Sequence, residues 1–395
     1  MSYTGPVSAT LEKTSINDLA IFGGAPLFDD PLHVGRPNIL DAQDFYARVR
    51  GAVERKWLSN DGPLVQELEA TFRKFFGVKH CVAVANATLG LQFVVQALGI
   101  RGKVVMPSFT FIATPHAVTW QGATPLFCDV NEQTHTLDPQ KVREAMSPEV
   151  GAIMGVHVWG RACEIDELQA IADEWKVPLV FDAAHALGST YKGKRLGSFG
   201  KAEVFSLHAT KGINGIEGGV ITTDDDELAA KLRALRNYGF DEQGLVSGLG
   251  INGKMNEMSA AMALSNVAHY GRLAEHNKLI HAAYARVLAH VPGITSCSQE
   301  IAGGNDHYAV FRIEPDDRMD RDRLIDMLAA ENVRARRYFW PACHRTPPYS
   351  ENTQLSLPMT ARLVPRVFQL PTGLQLDEAD AIAIGKCIAM LVNGK

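Results

Sequence analysis

PLVFDAAHALG (residues 178–188), followed by VFSLHATKGINGIEGGVITTDD (residues 204–225), is the stretch on which the reading of this chain turns. Each part opens as an apolar run too short for a helix, then breaks into small and polar residues where a strand would leave a sheet. Asp182 closes the first run. The residues before it, VPLVF, are apolar, so a carboxylate there is costly unless something pairs with it; taken alone, Asp182 reads as a helix N-cap. The second run leads to Lys211 in a glycine-bearing turn. Most lysines are solvated surface groups, so Lys211 by itself carries little weight.

The same strand pattern recurs in HCVAVAN (80–86), KVVMPS (103–108), TPLFCDV (124–130) and AIMGVHV (152–158), with amphipathic stretches between. That alternation predicts an α/β fold with a mostly parallel sheet. VFSLHAT and GGVITTDD suggest a more irregular part of the sheet containing an antiparallel strand, before a helix over 226–239. A long helical stretch from Met255 to about Val291 leads into a second α/β segment: a strand in DHYAVFRIE (306–314) and helices over 320–332 and 377–392. The expected division is a loose arm over 1–15, a large domain over 16–270 and a small C-terminal domain over 271–395.

Composition admits an enzyme of this kind without requiring it. The chain has 395 residues, 46% hydrophobic and 21% charged, enough for a large buried core. A net charge of -5 leaves no footprint for nucleic acid. Six scattered cysteines, with no CxxC pair, read as reduced thiols of a cytoplasmic protein, and no metal site is expected. Neither a signal peptide nor a membrane span is expected.

An acid at a strand end with a lysine in a nearby small, polar turn is what pyridoxal 5'-phosphate chemistry requires. The acid keeps a ring nitrogen protonated, and the lysine amine carries the aldehyde as a Schiff base. NATLGL (86–91) joins a strand to a helix, so its backbone N–H groups and the Thr88 hydroxyl suit a phosphate. Phe111 in PSFTFIATPH is placed to lie on an aromatic ring. Trp159 and Arg161 in VHVWGRAC follow a strand, where open α/β sheets keep ligands. His185 is three residues past Asp182, and Ser206 and His208 flank the approach to Lys211.

Together these motifs resemble the DegT/StrS-type sugar-nucleotide aminotransferases, a branch of the fold type I, aspartate aminotransferase-like pyridoxal phosphate enzymes. The resemblance runs in order through FGGAPLF, WLSNDGP, NATLGL, PSFTFIATPHAV, DVNEQTHTLDP, VHVWGRAC, FDAAHALGSTYKGKRLGSFG, VFSLHATKGINGIEGG, LRNYGF and GINGKMNEMSAAM to LPTGLQL, nearly the whole chain. It implies that Lys211 holds the cofactor, Asp182 pairs with its pyridine nitrogen, and Phe111 stacks on the ring. Ala87, Thr88 and Ser206 would hold the phosphate, with His208 beside them, and His185 stands where many relatives carry glutamine. It implies a homodimer in which Asn252, or failing that Lys254, reaches the neighbouring site. It also implies amino transfer from L-glutamate, by way of the pyridoxamine form, to a nucleotide-linked keto sugar.

The resemblance is strongest to enzymes that aminate carbon 4 of dTDP-4-keto-6-deoxyglucose, with 3-keto substrates as the alternative. Trp57, Ser59, Asn60, Trp159, Arg161, Tyr338 and His344 are the expected substrate contacts. Relatives with histidine at the lysine position are dehydratases, so Lys211 favours amino transfer. A deoxygenating enzyme and a non-catalytic sensor on the same fold are the other readings.

Overall fold

The computed structural model describes residues 12–297, 303–351 and 355–394. Its centre is a seven-stranded sheet built from β1 (His80–Val84), β2 (Lys103–Pro107), β3 (Thr124–Cys128), β4 (Val150–Val156), β5 (Leu179–Asp182), β6 (Ala202–Ser206) and β7 (Gly219–Thr223). The spatial order is β1-β7-β6-β5-β4-β2-β3. All neighbours are parallel except those of β7, which runs antiparallel to β1 and β6, as the irregular GGVITTDD segment suggests.

Both faces of this sheet are covered, which explains why its strands read as continuous apolar runs rather than alternating ones. Successive residues of β1 divide between two cores: Cys81 and Ala83 pack on one side, Val82 and Val84 on the other. The first side is filled by α1 (Ala42–Arg55), α2 (Pro63–Phe76), α6 (Ile165–Trp175) and α8 (Glu257–Val267), with α5 (Pro139–Ala145) beside α6. The opposite side is filled by α3 (Ala87–Ala97), α4 (Ala113–Trp120) and α7 (Asp226–Leu235).

A second, antiparallel sheet has the order β8-β9-β11-β10, from β8 (Ile294–Ser296), β9 (Ala309–Ile313), β10 (Arg336–Arg337) and β11 (Val367–Leu370). It packs with α9 (Tyr270–Leu288), α10 (Arg321–Ala330) and α12 (Glu378–Asn393) around a separate core. The short α11 (Pro358–Leu363) closes an aromatic cluster that includes Phe109, Trp159, Tyr308 and Phe339.

Three details differ from the sequence reading. The helical stretch from Met255 is two helices, because the chain turns at Ala268 and His269. Leu19, Leu27, Phe28 and Leu32, placed with the large domain by chain position, pack instead into the second core against Tyr284 and Leu328. Their apolar surface is buried there, and Leu32 and His33 pair with Val333 and Arg334. Of the expected N-terminal arm, residues 1–11 lie outside the described residues, but Lys13 is buried. Its amine donates to the Asp18 and Ala25 carbonyls and pairs with Glu331 at 3.4 Å, which meets the cost of burying the charge.

Candidate active site

The functional turns collect at the carboxyl edge of the parallel strands, the place where open α/β sheets keep ligands. Asp182 ends β5 and Ser206 ends β6; Gly219 opens the antiparallel β7 opposite Ser206, so β7 starts at the same edge. Asn86 caps α3 by accepting from the Leu89 N–H at 2.9 Å, leaving the first helical N–H groups, Ala87 and Thr88, without intrahelical partners. A Cβ on Gly219 would lie 2.6 Å from the Ala87 nitrogen, so only glycine allows β7 this close to the helix end.

Asp182 is 5% exposed. One carboxylate oxygen accepts from Thr114 Oγ1 at 2.7 Å and the other from the Ala184 N–H at 3.0 Å. Burial still pushes its carboxyl above the ordinary value, against those hydrogen bonds and the attraction of Lys211. Lys211 Nζ donates to Tyr308 Oη at 3.2 Å. Burial pushes its amine down from 10.5 to about 8; Asp182 opposes the shift and the charge of Arg336 adds to it.

His185 is buried behind this pair, its ring 4.4 Å from that of Tyr308 and its Nδ1 accepting from the Trp159 N–H at 3.3 Å. Burial, then the nearby Lys211, holds it far below the usual histidine range, so the ring is neutral near pH 7. Ser206 Oγ accepts from the His208 N–H at 3.2 Å. His208 Nδ1 meets Thr210 Oγ1 at 2.9 Å, and its Nε2 lies 3.5 Å from Glu217.

Sequence reasoning missed the residues of the segment leading into β9 that hold the two turns together. Asn305 Nδ2 donates to the carbonyls of His185 and Leu187, at 2.8 and 3.0 Å. The His307 ring meets the Thr210 carbonyl at 3.0 Å, and Tyr308 Oη accepts the hydrogen bond from Lys211 Nζ. DHYAVFRIE announces a strand but carries no local sign of where that strand docks. Arg336 was missed as well; it lines a pocket with Lys211, Tyr308 and Tyr338 and also a neighbouring cavity of about 590 Å³.

Among the expected substrate contacts, Tyr338 lines both spaces. Phe111, 60% exposed, lines the larger cavity. Trp159 does not face either space. Its φ of 57° turns the side chain into the aromatic cluster, 1% exposed and edge-on to Phe109 and His135 at 5.4 and 5.1 Å. What it gives the site is its backbone N–H to His185. Arg161 is half-buried on the same side, its charge felt by His135, and burial lowers its pKa. His344 lines neither space; its Nδ1 is 2.6 Å from Ser108 Oγ, and it borders a separate cavity with Arg345 and Leu357.

Trp57, Ser59 and Asn60 lie on a loop at the surface, with Trp57 45% exposed. Two buried side chains fasten that loop. Arg236 pairs with Asp61 at 3.1 Å, and Glu257 accepts from the Leu64 and Val65 N–H groups while its own N–H bonds the Leu58 carbonyl. Asn252 is exposed next to a loop that presents Tyr238, Leu245, Val246 and Leu249 to solvent. Lys254 lies against the same loop: its amine donates to Asn237 at 2.9 Å and sits over the Tyr238 ring. All six cysteines are buried and unpaired. Among the described residues no helix is long and apolar enough to cross a membrane, and no cluster could hold a metal ion.

A two-faced, mostly parallel sheet with a buried acid and a near-neutral lysine at its carboxyl edge defines an enzyme of the aminotransferase fold. The chain belongs to the DegT/DnrJ/EryC1/StrS aminotransferase family, whose model matches residues 40–389. It is 33% identical to a dTDP-4-amino-4,6-dideoxy-D-glucose transaminase of Escherichia coli, over 91% of this chain and 98% of that one. It is 32% identical to a GDP-perosamine synthase of Caulobacter vibrioides, over 86% and 92%. A solved structure of DesI in the presence of its TDP-sugar product matches with a TM-score of 0.92 and 44% identity, over 96% of this chain and 98% of that one.

Proposed function

We propose that this aminotransferase is pyridoxal phosphate-dependent and moves an amine from L-glutamate to carbon 4 of a nucleotide-linked keto sugar, dTDP-4-keto-6-deoxy-D-glucose. The observation that carries the reading is the Asp182–Lys211 pair: a buried carboxylate at a strand end and a lysine held near neutrality, each close enough to feel the other's charge. The relatives that share this chain from end to end supply the sugar and its position of amination.

The residues present fit the cofactor. The capped end of α3 has N–H groups to spare for a phosphate, and the glycine at 219 leaves room beside them. Asp182 is a buried acid that needs a cationic partner, which a protonated pyridine nitrogen provides. Phe111 presents an exposed ring at the cavity mouth, Ser206 supplies a hydroxyl near the phosphate site, and neutral His185 can hydrogen-bond the ring hydroxyl.

Bound there, pyridoxal phosphate supplies an electron sink for the carbon that loses a proton. Lys211 Nζ is the atom that takes the proton from the donor carbon and returns one to the sugar carbon. An amine with a pKa of about 8 is neutral often enough near pH 7 to act as that base. Asp182 keeps the electron sink charged throughout. Tyr308 holds the amine between the two transfers, and the packed aromatic wall of Trp159, Phe109 and Phe339 excludes water from behind. We infer a homodimer in which the exposed loop before Asn252 packs on a second copy and carries Asn252 to its site.

The test is turnover of L-glutamate with a panel of 3-keto and 4-keto nucleotide sugars, the product identified by NMR. Amination at carbon 4, lost in Lys211→Ala, is expected. Product aminated at carbon 3 would refute the substrate assignment, and a protein that binds no pyridoxal phosphate would refute the chemistry.

A further inference from the structure

Arg336 stands between the lysine pocket and the larger cavity and lines both. Its neighbour Arg337 is ion-paired to Asp322 at 2.6 Å and Asp326 at 3.4 Å. For Arg336, by contrast, the described residues provide no carboxylate. Its one hydrogen bond is from Nη1 to Tyr338 Oη at 3.3 Å, with the guanidinium 5.8 Å from that ring. Its charge is felt at Lys211, Tyr308 and His185. An exposed guanidinium at the junction of the two spaces, with no carboxylate partner among the described residues, is placed to meet an anionic ligand that enters either one.

The proposed reaction brings two anionic ligands to this spot in turn. The donor carries a carboxylate one bond from its reacting carbon, close to Lys211. The sugar nucleotide carries a diphosphate, separated from its ketone by the sugar ring and so farther out, on the side of the larger cavity. The two never occupy the site together. A long, lightly tethered side chain at the junction can reach either, and a planar guanidinium matches a carboxylate or a phosphate with paired hydrogen bonds.

We propose that Arg336 is the anion-recognising residue shared by both half-reactions, gripping the donor carboxylate in the first and a nucleotide phosphate in the second. Arg36 also lines the lysine pocket, but not the larger cavity. The inference rests on the proposed pair of substrates. It adds that a single side chain reads both.

The experiment uses holoenzyme, wild type, Arg336→Gln and Arg336→Lys, with 2-oxoglutarate and dTDP each titrated calorimetrically and the two half-reactions followed separately by stopped-flow absorbance. Losing a paired, charge-assisted contact should weaken binding of each ligand about 10- to 100-fold in Arg336→Gln. Arg336→Lys, which keeps the charge without the fork, should fall between. In the wild type, each ligand should exclude the other. A loss confined to one ligand overturns the shared role, as does a fall in the saturating rates with both affinities intact. Wild-type protein that binds 2-oxoglutarate but no dTDP overturns the substrate assignment, and the inference with it. Wild-type protein that binds both, beside an unaffected Arg336→Gln, overturns Arg336 alone.

Discussion

Replacing Lys211 by methionine should make the cofactor-free protein more stable at pH 7, because the structure holds this amine where its charge is unwelcome. Its pKa falls from 10.5 to about 8 on folding. At about 1.4 kcal/mol per pKa unit, that shift corresponds to roughly 3 kcal/mol of destabilisation when the lysine is fully protonated; partial solvent access reduces it to about 2. Methionine is similar in length and removes the charge. The substitution also leaves Tyr308 Oη without the lysine, a loss of about 1 kcal/mol. The net gain is therefore about 1 kcal/mol, or about one degree in Tm for a chain of this length.

The pH dependence is the sharper test. Between pH 8 and 10.5 the unfolded lysine binds a proton that the folded one has lost, so wild-type stability rises with pH across that window. Below pH 8 both forms are protonated and the full penalty applies. The gap between variant and wild type should be widest at pH 6.5–7.5 and should narrow steadily toward pH 9.5. Calorimetric scans of both proteins, freed of cofactor and run at matched ionic strength, would measure it. A variant less stable than wild type at pH 7, or a gap that does not change with pH, would refute the claim that burial destabilises the charged amine.

Thr114→Val removes the 2.7 Å hydrogen bond to Asp182, so the carboxyl should rise further above its ordinary value and cofactor retention after dialysis should fall several-fold at pH 6, less at pH 8. Equal retention at both pH values would count against it. Gly219→Ala places a methyl 2.6 Å from the Ala87 nitrogen and should cost about 1–3 kcal/mol, with weakened pyridoxal phosphate binding, readable by fluorescence titration. Glu257→Ala strips the acceptor from the Leu64 and Val65 N–H groups, each at 3.0 Å, and should cost about 2–3 kcal/mol in thermal unfolding; an unchanged Tm would show that water replaces the carboxylate.

How much of this was legible in the sequence depends on the range of the interaction. The main sheet was, because strands such as His80–Val84 are apolar on both faces and the turns after them are local features. Asp182 and Lys211 were singled out only together and by the motifs around them, because a strand-end acid alone reads as a helix N-cap and a lone lysine as a surface group. Trp159 follows a strand as read, but its backbone angle of 57° packs the side chain among Phe109 and His135, a placement no local sequence pattern announces. Tyr308 and Arg336 were not legible as site residues. Tyr308 immediately precedes one strand and Arg336 opens another, and the docking of both is set by packing with distant segments, among them Leu19 to Leu32, which leaves no period in the local sequence.

The lysine's chemistry is consequently a property of the seam between the two sheets rather than of the turn that carries it. Asn305 ties the Asp182 side of the crevice through the His185 and Leu187 carbonyls, His307 ties the Lys211 side through the Thr210 carbonyl, and Tyr308 receives the amine itself. Three nearby residues of one chain segment thus fix two turns that the main sheet positions only from below. His307 is itself pushed down to about 4 by burial, so its ring stays uncharged and this clasp holds its form across the neutral range. The same segment fills the space that would otherwise admit water to Lys211. Burial is the first cause of the lowered amine pKa, so a substitution at Asn305 that loosened the seam would return the pKa toward 10.5 without touching the lysine.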